Sequence, residues 1–383
     1  MIKPFLPCLL SLALVFTIAC DLSQAAASDS GQAVFRGGND GYHTYRIPSI
    51  IATKKGTLLA FAEARKEGRG DAGNIDLVLK RSHDGGKTWG PQQVVWDDAD
   101  HTCGNPCPVV DQATGHIILL LTWNRGDDHE GKIKAGTAKD TRRVFVSRSE
   151  DDGLTWEKPR DITSTAKHPD WRWYATGPGI SIQMKEGKHA GRLVIPCDHS
   201  TADGEYRSHS IHSDDGGKTW ALGGTIKPHV NECQVVELPG GKLLINLRNY
   251  AKAPNAKRRA IATSDDGGQT WSEVSYDAAL IESICQASLI RLMHPAGADK
   301  QGMLLFSNPA SEKSRDQLTV RLSRDGGKTW PASRVLFAGH AAYSNLIELP
   351  DGTLGCLYER GQKSAYDEIY FERFTLDSLT AAP

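Results

Sequence analysis

The sequence predicts an all-β chain, and three observations carry that expectation. A glycine followed by a short apolar run recurs six times: GTLLAFAE from Gly56, GHIILLLT from Gly115, GRLVIPC from Gly191, GKLLINLR from Gly241, GMLLFSN from Gly302 and GTLGCLYE from Gly352. Five of these units run on into an S-x-D-x-G-x-T-W octet, starting at Ser82, Ser149, Ser213, Ser264 and Ser323. Further β-rich runs precede each glycine and each octet, giving a repeat of roughly 50 to 75 residues. Repeats of that size stack into one body, and a radial stack protects the strand edges. The expected architecture is a six-bladed β-propeller of four-stranded antiparallel sheets around one central site.

The elements follow in chain order. Residues 1–27 read as a leader: Lys3 precedes an apolar stretch from about Leu9 to Ala19, too short to span a bilayer and shaped like a signal-peptide core. Thr17-Ile18-Ala19-Cys20 loosely fits a bacterial lipoprotein site with a lipid anchor at Cys20, whereas Ser23-Gln24-Ala25 or Ala25-Ala26-Ala27 suits ordinary cleavage. Either way the protein is expected to be exported, as a periplasmic, secreted or envelope-anchored protein without a membrane span. Residues 28–383 are then expected to form a single domain.

The fourth unit shows the blade plan. ECQVVEL (Glu232 to Leu238) alternates as a first strand, Pro239-Gly240-Gly241 turns the chain, the run after Gly241 is a second strand, and RRAIATS (Arg258 to Ser264) is a third. The octet follows as a turn, and SEVSY as a short outer strand. The first unit fits the same order with YRIPSIIAT, TLLAFAE and NIDLVLKRS before SHDGGKTW. Within an octet the Asp accepts backbone hydrogen bonds, the Gly supplies a positive φ and the Trp packs the turn down, so these residues are read as structural fasteners. The sixth unit has three runs and no octet. Its outer strand is expected from Gln32 to Phe35, which would close the ring with the two ends of the domain.

Composition sets limits. Across 383 residues, 39% hydrophobic and 24% charged content with a formal net charge of -1 describe an ordinary globular protein with no field for a polyanion, so nucleic acid is not an expected partner. Cys8 and Cys20 fall in the leader, and Cys103, Cys107, Cys197, Cys233, Cys285 and Cys356 scatter over the body. That scatter is no disulfide framework, although Cys103 and Cys107 could bridge in an oxidising compartment; one C-x-x-x-C without a second ligand pair is a poor zinc signal.

Because strands alternate in direction, first-strand starts, second-strand ends and third-strand starts share one mouth, opposite the octets. This places Arg46, Glu232 and Tyr343 (first strands), Arg65, Arg248 and Glu359 (second strands), and Asp71 and Arg315 (before third strands) together. Guanidinium groups crowded into one depression repel one another unless an anion sits among them, and a carboxylate fits their planar fork best. The expected ligand is a small acid.

Tyr45-Arg46-Ile47-Pro48 and the five octets, combined in order with GDAGNIDLV, NECQVVEL, INLRNY and AAYSNL, resemble the sialidases of the exo-α-sialidase group over essentially the whole body. The resemblance implies that Arg46, Arg248 and Arg315 grip the carboxylate of sialic acid and that Glu359 holds Arg46. It further implies Tyr343 as nucleophile, Glu232 as its base and Asp71 as general acid and later base, with Arg65 and Asn105 near the sugar's O4 group. A phenol suits this role, because a carboxylate nucleophile would meet the like charge on the anomeric carbon; tyrosine is a known exception to the two-carboxylate glycosidase pattern.

The implied activity is release of terminal α-linked sialic acids from glycoproteins, glycolipids and oligosaccharides, with no cofactor and no metal required. Asp76 is a rival for the acid, although its place inside the NIDLVL run points to a packed strand. Asp203 and Tyr206 in TADGEYRSHS are further mouth residues without an assigned role, and Trp123 and Trp173 are divided between an acyl pocket and the core. Two alternatives remain at this stage: a trans-sialidase, and a non-catalytic propeller that binds glycans or proteins.

Overall fold

The computed structural model describes Met1, residues 31–293 and residues 302–380. Apart from Met1, the expected leader over residues 1–27, with the anchor at Cys20, lies outside the described residues. No helix among the described residues is long and apolar enough to cross a membrane.

The fold is all-β and follows the repeats. The first unit comprises strands Thr44–Ala52, Leu58–Arg65, Ile75–Ser82 and Gln93–Trp96. The second comprises Thr102–Val110, Ile117–Asn124, Arg143–Ser149 and Arg160–Asp161. In the third, Tyr174–Thr176 and Ile182–Gln183 both pair with Leu193–Ser200, followed by Tyr206–Ser213 and Ala221–Ile226. The fourth holds Val230–Glu237, Leu243–Asn249, Arg258–Ser264 and Ser275–Ile281. The fifth begins with Ser288–Arg291, Leu304–Pro309 and Asp316–Ser323, and its outer strand is the first part of Ala332–Glu348. The second part of that strand opens the sixth unit, which continues through Leu354–Gly361 and Glu368–Phe374 and ends on Gly31–Arg36.

Hydrogen bonding joins these strands into four sheets, none closed on itself, because units five and six share one long strand and units one and two are bridged at Ile75 and Thr102. The expected donation of the N-terminal segment to the last unit is present: Gly31–Arg36 pairs antiparallel with Glu368–Phe374. The outer strand of unit four starts at Ser275 rather than Ser272. Ser272 is still part of the turn, with its N–H on the Thr263 carbonyl at 2.8 Å.

The innermost strands touch in sequence. Thr44–Ala52 contacts Thr102–Val110, which contacts Tyr174–Thr176; Leu193–Ser200 meets Val230–Glu237, which meets Ser288–Arg291, then Ala332–Glu348, which returns to Thr44–Ala52. One cavity of about 600 Å³ is bordered by Ile51, Val109, Ile182, Val236, Ile290 and Ile347, one from the inner edge of each unit.

Burial explains why the second strands read as unbroken apolar runs. In Leu58–Arg65 alternate side chains enter different cores: Leu58 and Ala60 pack with Leu357 and Phe371 of unit six, while Leu59 and Phe61 pack with Leu119 and Leu121 of unit two. A strand covered on both faces needs apolar residues at every position. Each buried Leu or Phe contributes about 1.5–3 kcal/mol, so the inter-unit faces are the main source of stability. Cys103 and Cys107 are free buried thiols that point into two different cores, one shared with Leu77 and one with Tyr174.

Turn chemistry completes the plan. The six repeat glycines all have φ between 78° and 94°, which only glycine adopts readily. In the octet from Ser82, Asp84 accepts from the Ser82 hydroxyl at 2.8 Å, the Thr88 N–H at 2.9 Å and the Thr88 hydroxyl at 2.6 Å, while Gly86 N–H donates to Ser82 Oγ at 2.8 Å. The same set recurs in the octets from Ser149, Ser213, Ser264 and Ser323. None of these residues borders the polar mouth described next.

Candidate active site

The inner strands do not run straight through the mouth. Register shifts interrupt pairing between Arg46 and Ser49, between Gly104 and Cys107, between Val230 and Cys233, and between Ala341 and Ser344. Arg46, Asn105, Glu232 and Tyr343 sit at or inside these bulges, and a bulge is a device for re-aiming a side chain. Backbone strain gathers at the same level, with φ of 58° at Ile47, 53° at Asn105 and 57° at Ile284. For a β-branched residue such a φ persists only where its surroundings hold it. Glu359 does so at Ile47, accepting its N–H at 2.9 Å.

Glu359 is fully buried and has four donors around it. Arg46 Nε and Nη2 reach its two oxygens at 2.9 and 3.3 Å, and Tyr343 N–H donates to Oε2 at 3.1 Å. One carboxylate thus fixes a cation and the backbone of the tyrosine together. Burial works against the Arg46 charge, but Glu359 prevails and holds its pKa well above the usual value.

Three guanidinium groups surround the Tyr343 ring. The Cζ atoms of Arg46 and Arg315 lie 5.1 and 5.6 Å from its centroid, and Arg248 Nη1 donates to its hydroxyl oxygen at 3.3 Å. Arg315 is steadied by the Ile284 carbonyl at 2.8 Å and the Tyr366 hydroxyl at 3.1 Å, and the Tyr366 ring also lies 4.1 Å from Arg46 Cζ. The Tyr343 hydroxyl donates to Glu232 Oε1 at 2.5 Å, and Arg248 donates to Glu232 Oε2 at 2.6 Å. Burial, and then the Glu232 charge, push the Tyr343 phenol well above its ordinary pKa against the pull of Arg248 and Arg315. The resting phenol is neutral and its proton faces a carboxylate.

Asp71 stands at the rim on the loop before Ile75–Ser82, its side chain 64% exposed. Its carboxylate is 2.7 Å from Arg65 Nη1 and 3.6 Å from Arg46 Nη1. Desolvation favours its neutral form, but Arg65 and then Arg46 outweigh that, and the pKa lies below the usual carboxylate value. Arg65 is held by Glu63 at 2.5 Å, and Glu63 also accepts the Asn105 N–H at 2.9 Å.

Of the nine residues given a role from sequence, all except Glu359 border one polar cavity of about 160 Å³, and Glu359 lies directly behind Arg46. The same cavity is bordered by residues that sequence reasoning did not name: Glu63, Glu130, Arg142, Asp198, Asn231 and Tyr250. Glu63 was legible as the same-face neighbour two positions before Arg65, and Tyr250 stands in the INLRNY motif. Arg142 carried no signal; it is buried, donates to Asn105 and Asn124, and lies 4.0 Å from the Trp173 ring, with burial lowering its pKa to about 10.

The open assignments also resolve in position. Trp173 and Tyr206 border the cavity. Trp123 packs in the core between units one and two, its Nε1 donating to Asp98 at 2.6 Å. Asp203 is exposed and closes a turn by pairing with Arg207 at 2.7 Å. Asp76 is fully buried away from the cavity, taking the Tyr42 hydroxyl at 2.5 Å and Lys66 at 3.2 Å.

Residues 56–356 match the family model described as a BNR repeat-like domain. The chain is 37% identical over 340 residues to a sialidase of Micromonospora viridifaciens, covering 86% of this chain and 52% of that protein. It is 31% identical over 374 residues to an exo-alpha-sialidase of Aspergillus fumigatus, covering 90% and 86%. Among solved structures, the Hadza microbial sialidase Hz136 matches with a TM-score of 0.81 and 32% identity over 91% of this chain and 69% of that one. The chain spans about half the length of the Micromonospora relative, 52%.

Proposed function

This chain belongs to the sialidase family, and on that premise we propose that it is an exo-α-sialidase, a retaining glycoside hydrolase acting on sialylated glycans. The observation that carries the reading is the Tyr343 hydroxyl on Glu232 at 2.5 Å amid three arginines. A purely binding surface has no use for a buried phenol whose proton is directed at a carboxylate.

In this reading Arg46, Arg248 and Arg315 take the substrate carboxylate, which presents the anomeric carbon to the Tyr343 oxygen. Glu232 accepts the phenolic proton as the bond to carbon forms, and Arg248 spreads the charge over both groups. Asp71, ionised at rest, gains proton affinity once the incoming carboxylate neutralises Arg46, takes a proton from solvent, and then delivers it to the leaving oxygen as the glycosidic bond breaks. Water, activated by Asp71, releases sialic acid with retained configuration from the tyrosyl intermediate.

The site requires a closed ring of units. Six groups of four strands, five in the third unit, the cyclic contacts of inner strands and the cavity they border support a six-bladed propeller over residues 28–383. Export by the leader of residues 1–27 is part of the same proposal. Hydrolysis of a fluorogenic α-sialoside by the purified protein tests the function, with Tyr343→Phe and Asp71→Asn as controls. Turnover by the parent that Tyr343→Phe loses, and that Asp71→Asn loses on a natural sialoside with a poor leaving group, supports it; an inert parent protein refutes it.

A further inference from the structure

Arg248 and Arg315 share an anchor that lies behind the cavity. Strand pairing between Leu243–Asn249 and Arg258–Ser264 ends at Leu247 and Ala260, one residue short of Arg248. Glu282, fully buried and one residue past Ser275–Ile281, takes over there: its Oε2 accepts the Asn249 N–H at 2.8 Å. Its other oxygen, Oε1, accepts the N–H groups of Ile284 and Cys285 at 2.6 and 3.2 Å. Arg259, also fully buried, closes the unit, its Nη1 donating at 2.8 Å to both Glu282 Oε2 and the Cys285 carbonyl oxygen. Neither Glu282 nor Arg259 borders the cavity.

The turn held by Glu282 is strained and aimed. Ile284 has a φ of 57° while its side chain is 36% exposed, so packing of that side chain does not account for a conformation that a β-branched residue adopts only when its surroundings impose it. In this conformation the Ile284 carbonyl accepts from Arg315 Nη2 at 2.8 Å. One carboxylate therefore fixes the backbone beside Arg248 and, through the Ile284 carbonyl, the guanidinium of Arg315. Glu359 does the same for Arg46 and the Tyr343 backbone. A buried ion pair adds little net stability over apolar side chains of the same volume, whereas every acceptor position named on Glu282 serves Arg259 or the backbone that supports the mouth. We propose that Glu282, paired with Arg259, is a positioning residue for substrate binding that holds Arg248 and Arg315 at the spacing needed to grip the substrate carboxylate. The proposal rests on the sialidase reading and deepens it.

Kinetics of two variants and one crystal structure test it. Glu282→Gln turns an NH2 group towards two of the four donors, and Glu282→Asp keeps the charge for Arg259 but is one methylene too short to reach both Asn249 and the turn. Substituting a residue that only stabilises the fold lowers the folded fraction, and with it the apparent kcat, while KM is unchanged; substituting a positioning residue moves KM. For a fluorogenic sialoside KM is expected to rise about tenfold or more in the Gln variant and at least about threefold in the Asp variant. A smaller rise in either overturns the proposal, and the Asp variant decides if the Gln variant does not fold. In a crystal structure of Glu282→Asp, Ile284 is to leave the positive φ region and its carbonyl oxygen to lie beyond about 3.5 Å from Arg315 Nη2. An unmoved carbonyl overturns the proposal even in a protein that turns over no sialoside, a result that would refute the sialidase reading by itself.

Discussion

Replacing Glu359 by Gln changes one oxygen into an NH2 group without changing shape. Glu359 accepts four hydrogen bonds, from Arg46 Nε and Ile47 N on Oε1 and from Arg46 Nη2 and Tyr343 N on Oε2. Whichever way the Gln amide turns, two donors then face two hydrogens. Charge-assisted bonds contribute about 1.5–3 kcal/mol each, which gives about 3–6 kcal/mol for two. Breaking one side of a buried ion pair costs about 3–5 kcal/mol by a separate route, so the expected loss of unfolding free energy is about 3–5 kcal/mol. The Tyr343 backbone and the Arg46 fork are released together, and a displacement near 1 Å costs about 100-fold in rate. Urea unfolding gives the first quantity and kcat/KM on a fluorogenic sialoside the second. A Glu359→Gln protein within about 0.5 kcal/mol of its parent and with kcat/KM within about threefold would refute the reasoning.

Further outcomes follow from the same contacts. Tyr343→Phe loses at least about 10³-fold in kcat, as removal of a nucleophile does, while calorimetry still detects binding of an unsaturated sialic acid analogue, since the arginines remain. Asp71→Asn slows hydrolysis of natural glycosides far more than of aryl sialosides with good leaving groups, because only the former need a proton; equal losses on both would remove Asp71 from the acid role. In the octets, Asp84→Ala costs about 1 kcal/mol through its lost hydrogen bonds and leaves kcat unchanged. Asp84 is held at about 2, chiefly by the Thr88 hydroxyl and N–H, against about 3.9 in an unfolded chain. A depressed folded value means that its stabilisation is complete above about pH 4 and fades as pH falls towards 2. Unfolding midpoints measured over that range are therefore to fall less steeply for Asp84→Ala than for the parent.

Much of this was written in the residues, and the part that was not has a physical reason. The repeat glycines and octets were legible because positive φ and a closed turn admit few residue types, and Arg258–Ser264 was delimited correctly because an octet ends it. The mouth residues were legible because charged side chains interrupt apolar strands at fixed positions in the repeat. The bulges at Arg46, Asn105, Glu232 and Tyr343 were not, because distant contacts hold them: the strain at Ile47 is sustained by Glu359, 312 positions away. Arg142 and Asp198 were hidden for a similar reason: a charged residue within a strand, as Asp198 is, or just before one, as Arg142 is, looks the same in sequence whether it faces solvent or a cavity. The strand Ala332–Glu348 was expected as two, since the sequence does not distinguish a turn from a continuous strand passing from one unit to the next.

The account depends most on Tyr343 as the atom that bonds to the sugar. A fluorinated sialic acid that forms the intermediate but leaves it slowly, followed by peptide mass spectrometry, reads that bond directly. The predicted result is one added sialyl group on the peptide containing Tyr343, located at its side chain and absent from Tyr343→Phe. A label on Glu232 or Asp71, or hydrolysis with inverted configuration and no label, would contradict it.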